Sequence, residues 1–190
     1  MSPRLLLSDQ QFLDYSGEHL LYEIQMLRFV VSKIPTLTAG VDLSAFLESF
    51  AIHLRNLTDF FYDQEPQPDD VVAADFYDDP GKWNTSISLT LATAQTRANK
   101  EVSHLTLRRK DGGDPDKPWP VLDLYQEIRT VAQTFVAGAS PKKLHPRVTE
   151  FINFFYTPMA AVLADSTYGP MTNTSVAVAV ATNWTTRPVP

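Results

Sequence analysis

The sequence predicts an all-α fold, a bundle of about five helices, and three observations carry that prediction. Apolar residues recur at spacings of three and four over most of the first 165 positions. The breaks between these stretches are rich in proline, glycine and aspartate, the composition of connections. One stretch alternates as a strand would, Thr174 to Ala181 (TSVAVAVA), and its apolar members are all valine and alanine, which build little core. The expected organisation is one helical bundle over 1–165 and a short non-helical extension over 166–190 that is strand-like or disordered. A chain of 190 residues suits a single hydrophobic core.

The first helical pattern runs from Glu18 to Ile34, with Leu20, Leu21, Ile24, Leu27, Val31 and Ile34 on one stripe. Ser16 is expected to cap its start and Pro35 to end it. The second, Asp42 to Tyr62, is the clearest amphipathic pattern, with Phe46, Leu47, Phe50, Leu54, Leu57, Phe60 and Phe61 on one side. Gln64 to Lys82 holds three prolines, one glycine and five aspartates, which predicts a long connection with a helical turn at Val71 to Phe76. A third helix is expected from about Thr85 to Leu107, its β-branched start being the weaker half. Lys110 to Pro120 (KDGGDPDKPWP) reads as a loop. Periodicity resumes at Val121 to Val136 and breaks at Gly138. Ser140-Pro141 offers a cap and a first-turn proline for a last helix running to about Ala164, which Pro158 kinks or ends.

Composition narrows the chemistry. Without cysteine there is no disulfide scaffold, thiolate metal site or cysteine nucleophile, a composition that suits the cytosol. A formal charge of -6 disfavours coating nucleic acid by bulk positive charge, so any RNA contact has to be local. The opening MSPRLLLSDQ lacks the apolar core of a signal peptide, and no run approaches the roughly 18 apolar residues of a membrane span. A soluble, cytoplasmic protein with no membrane partner is expected. Phosphate loops, dinucleotide fingerprints and nucleophile elbows are absent from the sequence.

Each of the four histidines can be weighed. His19 and His145 read as surface or helix-start residues. His53 shares the apolar sector of Phe46, Phe50, Leu57 and Phe60 and so points into the core, either as a neutral histidine satisfied by a neighbour or as part of a site between helices. The strongest constellation is RANKEVSHLTLRR in the third helix. Arg97 and His104 are seven residues apart, about 20° short of two turns, and project from the same side. Glu101 and Arg108 continue this stripe beside the buried face of Ala94, Ala98, Val102 and Leu105. On spacing alone the stripe reads first as a salt-bridged surface, Glu101 pairing with Arg97 at i−4, and second as a cleft or dimer seam.

Arg97, six intervening residues and His104 resemble the R-x4-6-H signature of the HEPN superfamily, helical-bundle domains found in many prokaryotic toxin and antiphage systems. The run Ala98 to Thr106 resembles that superfamily's polar, histidine-bearing helix, and ESFAIHLRNLTDFF at Glu48 to Phe61 its aromatic-rich preceding helix. The resemblance spans roughly Glu18 to Val136. It implies metal-independent endoribonuclease activity at a composite homodimer site, with Arg97 and His104 as the catalytic pair and Asn99, Glu101 and His53 in support. No metal or cofactor is implied. The implied partners are a second copy, an RNA substrate, and an antitoxin or other defence-system protein. The valine-alanine tail has no counterpart in the superfamily.

Two other readings stay open. HEPN-like domains that have lost catalysis serve in protein association or RNA binding. The aspartates Asp69, Asp70, Asp75, Asp78 and Asp79 would suit a metal site only with histidines, which lie far away in sequence, and solvated acidic loops are the commoner outcome.

Overall fold

The computed structural model describes residues 7–101 and 119–154, the side chains of Lys100 and Glu101 excepted. The described residues form an all-α bundle without strands. Helix α1 (Asp9–Tyr15) passes through a π-helical turn, Ser16–Leu20, into α2 (Leu21–Lys33) without leaving helical backbone. A 3-10 turn at Ile34–Thr36 leads to α3 (Val41–Tyr62), and a long connection with 3-10 turns at Ala73–Phe76 and Pro80–Lys82 leads to α4 (Leu89–Glu101). Helices α5 (Val121–Gly138) and α6 (Pro146–Phe154) complete the described chain. Counting α1 to α2 as one bent rod, the described residues contain the expected five helical rods.

The sequence pattern placed α3 and α5 within two residues of their observed bounds and anticipated the helical turn near Phe76. Two starts differ. The first rod begins at Asp9 rather than Glu18, because Ser8 and Gln11 form a capping box: Ser8 Oγ accepts from the Gln11 N–H (3.3 Å), and Gln11 Oε1 accepts from the Ser8 N–H (2.9 Å). Ser16 is therefore no cap. It is buried inside the π-helical turn, where its hydroxyl donates to the Leu13 carbonyl (3.1 Å) and accepts from the His145 N–H (3.0 Å).

The last rod differs in the same way. Ser140 does not cap it: the Ser140 carbonyl accepts from the Lys143 and Leu144 N–H groups in a turn, and the helix starts at Pro146. A proline does take the first helical position, but the cap is His145, whose Nδ1 accepts from the Arg147 N–H (3.2 Å). The expected helix end near Leu107, the continuation to Ala164 and the tail over 166–190 lie outside the described residues.

Helices α2 and α3 form an antiparallel pair, since Tyr22 meets His53 near one end while Phe29 meets Phe46 near the other. Gly40 turns the chain into α3 with φ of 152°, a backbone state that side chains disfavour. The core is densest where α3 ends. Phe60, Phe61, Phe76 and Trp83 surround Phe135 of α5 with ring centroids 5.4 to 5.8 Å away, each close to edge-on. The long connection is thereby anchored to the core at Phe76 and Trp83. The Trp83 indole N–H donates to the Phe61 carbonyl (2.9 Å), and Lys143 Nζ donates to the carbonyls of Asp75 (2.9 Å) and Tyr77 (3.1 Å).

Candidate functional site

Helix α4 starts where Ser88 caps it, accepting from the Leu91 N–H (3.0 Å) while its hydroxyl donates to Glu127 on α5. Its buried face is Leu91, Ala94 and Ala98, small enough toward the C-terminal end for close packing on α3. Arg97 follows from that register: next to Ala98, it leaves the helix at the edge of the buried face. Its guanidinium carbon lies 4.3 Å from the centre of the Trp119 ring, a close cation–π stack. Trp119 is itself 7% exposed and meets Phe50 of α3 nearly edge-on, with 6.0 Å between centroids. The indole thus lies between a fully buried phenylalanine and the arginine.

Asn99, half-buried, sits two residues beyond Arg97, and Glu101 is the last described residue of α4; the Glu101 side chain and all of His104 lie outside the described residues. The i−4 pairing of Glu101 with Arg97 falls there too.

His53 is buried, and its Nδ1 lies 2.7 Å from Glu23 Oε2 on α2. The contact joins the two helices of the antiparallel pair, with the Tyr22 ring edge-on to the imidazole at 5.8 Å. Phe50, the residue against Trp119, precedes His53 by less than one helical turn. The two candidate features therefore stand on the same stretch of α3. Glu23 also acts on Tyr15, whose phenol is pushed above its usual range by burial first and by the charges of Glu23 and Asp70 after it.

Histidines 19 and 145 do local work. His19 stacks at 5.1 Å on Tyr15, and the His145 ring packs against the Cα of Gly17 besides capping α6. The acidic connection behaves likewise. Asp70 accepts from the Gln67 N–H (2.6 Å), buried Asp75 from the Val72 N–H (3.0 Å), and Asp79 from the Gly81 N–H (3.1 Å), so these carboxylates brace turns. Among the described residues no group of three or more histidine, aspartate or glutamate side chains is placed to hold a metal ion. Nor is any helix among them long and apolar enough to cross a membrane.

Two residues of this region escaped sequence reasoning. Trp119 was hidden in a proline-rich stretch that reads simply as loop, although an indole between two prolines just before a helix is a rigidly placed ring. Glu23 sits on the polar side of its helical pattern, and only the pairing of α2 with α3 brings it to His53. No protein-family model, curated protein or solved structure matches the chain.

Proposed function

We propose that the chain is a HEPN-like, metal-independent endoribonuclease that works as a homodimer with a composite site, in a defence or toxin-antitoxin setting. Arg97 and His104 are its principal residues. The observation that carries the reading is Arg97: a half-buried guanidinium on α4 of an all-α bundle, held on a buried ring, with His104 seven residues further along the sequence. In this chemistry an imidazole takes the proton of a ribose 2'-hydroxyl as it attacks the adjacent phosphorus. The guanidinium balances the charge that builds on the phosphoryl oxygens. Asn99 offers a further hydrogen bond, and the His53–Glu23 contact stiffens the helix pair beneath. The bond from phosphorus to the 5'-oxygen breaks, that oxygen takes up a proton, and the products are a cyclic phosphate and a 5'-hydroxyl.

The test is cleavage of a mixed RNA substrate in EDTA by wild type and His104→Ala, with product ends identified. Chelator-resistant cleavage that falls on the order of a hundredfold or more in the variant is the expected result. Identical traces from two equally folded proteins would remove catalysis at His104.

A second reading has its own observation. Tyr22 and Phe29, two turns apart on α2, are 52% and 47% exposed, an outward aromatic pair of the kind that marks association surfaces. On that reading the bundle is a catalytically silent module for protein association or RNA binding, and His104→Ala leaves it unchanged.

A further inference from the structure

We propose that Trp119 is the positioning residue for Arg97: its indole fixes the guanidinium at the place where an RNA phosphate is received. The inference rests on the reading that Arg97 meets a phosphodiester. It adds a residue that the R-x4-6-H motif does not contain.

An arginine loses conformational freedom when it binds. A long side chain leaving a helix samples many rotamers, and selecting one at the moment of binding offsets much of the gain from a charge-assisted contact. Here one orientation is selected beforehand. The guanidinium carbon lies 4.3 Å above the ring of Trp119, well inside the range of cation–π attraction. The ring cannot readily follow a moving arginine. It is 7% exposed, has fully buried Phe50 against it, and belongs to a residue whose carbonyl accepts from the Val121 N–H (2.8 Å) at the start of α5. Three elements therefore converge on this placement: α3 through Phe50, α4 through Arg97, and the chain leading into α5 through Trp119.

Trp119 does for Arg97 what an orienting carboxylate does for a catalytic histidine: it touches no substrate and sets the geometry of the group that does.

The test is a double-mutant cycle on the full chain, with two readouts in EDTA. Binding is followed by fluorescence anisotropy of a labelled oligoribonucleotide carrying 2'-O-methyl sugars, and cleavage is followed on the same sequence with free 2'-hydroxyls. Arg97→Ala is expected to weaken binding about tenfold, and Trp119→Leu about fivefold. The double variant should bind no more weakly than Arg97→Ala, because the ring acts only through the arginine. Trp119→Phe keeps an aromatic face and should stay within about twofold of wild type. It serves as the folded control should Trp119→Leu lose helicity.

Additive losses in the cycle, or unchanged binding by Trp119→Leu with helicity intact, overturn the inference. If Trp119→Leu does not fold, loss of binding by folded Trp119→Phe equal to that of Arg97→Ala overturns it as well. The reading it rests on is decided separately. Coupled binding with no cleavage by wild type would leave Trp119 in its role and remove the nuclease, and cleavage with uncoupled binding would do the reverse. Absence of both binding and cleavage by wild type overturns both.

Discussion

At the scale of single residues, the bundle's polar groups divide into those held inside it and those at its edge. The His53–Glu23 contact is of the first kind. Removing the imidazole leaves a cavity and a half-buried carboxylate without its partner, so His53→Ala should destabilise by roughly 2–3 kcal/mol in urea unfolding. Glu23→Gln keeps an acceptor and should cost about 1 kcal/mol. Asp59 of α3 is of the second kind. Burial pushes its carboxyl above the usual carboxylate range, Asp63 and Asp70 push the same way, and the Gln95 hydrogen bond and Arg55 pull it back only in part. A folded-state pKa above the unfolded one means that folding favours the protonated form. Stability from this group is therefore present below the unfolded pKa and lost as pH rises through the folded value. Asp59→Asn should raise the Tm at pH 7, by about a degree or two given how exposed the group remains, and the difference should close in acid.

His53 also shows how much of the site could be read in advance. Its place in an apolar sector announced that it is buried, since helical spacing fixes which way a side chain points. Its partner could not be read, because Glu23 meets it only through the register between α2 and α3, which no local pattern encodes. Arg97 was legible as the edge of a buried face for the same reason as His53. Trp119 was not, because stacking across 22 positions depends on how the chain returns.

At the scale of elements, the joints of the bundle are built from close approaches. Gly17 lies in the π-helical turn, and a Cβ there would meet Cδ2 and Cγ of His145 at 2.9 Å. Gly17→Ala must therefore push His145 away from Ser16 and from its place at the start of α6. The expected loss is about 1–3 kcal/mol, read as a lower Tm, although alanine is the better helix former. Unchanged stability would mean that the joint yields freely. The starts of the first and last rods were both misplaced at this joint. Ser16 and Ser140 each have the local credentials of a cap, but long-range contacts claim them: Ser16 bonds to His145, and the Ser140 N–H donates to the Phe76 carbonyl (2.9 Å). The capping-box spacing of Ser8 and Gln11 was present in the sequence and marks the true start.

At the scale of the whole molecule, Phe135 is where the fold is most interdependent. Its ring touches aromatic side chains from α3 and from both halves of the long connection, so it couples segments far apart in the chain. Phe135→Ala should cost about 3–5 kcal/mol and broaden or abolish the cooperative thermal transition. An exposed position such as Ile52→Ala should change stability by less than about 0.5 kcal/mol, and comparing the two transitions by circular dichroism checks the contrast. The all-α class was legible at this scale because helical periodicity is repeated in every rod. The aromatic cluster was not, because Phe76 and Trp83 lie in a stretch whose prolines and aspartates advertise only a connection.

The π-helical turn sets a phase between the two halves of the first rod. It holds one residue more per turn than an α-helix would. Deleting a single residue between Ser16 and Leu20 would let the rod run through as ordinary α-helix with everything before it close to its present phase, because the wide turn already absorbs the extra residue. Phe12, now 5.0 Å from Phe76, would stay on the core side, and Lys143 would keep the ring beneath its ammonium group. The same deletion from the regular turns of α2 would instead rotate everything before it by about 100°. The π-helical turn is therefore the place in the rod where its length can change by one residue with least disturbance to the packing of Phe12.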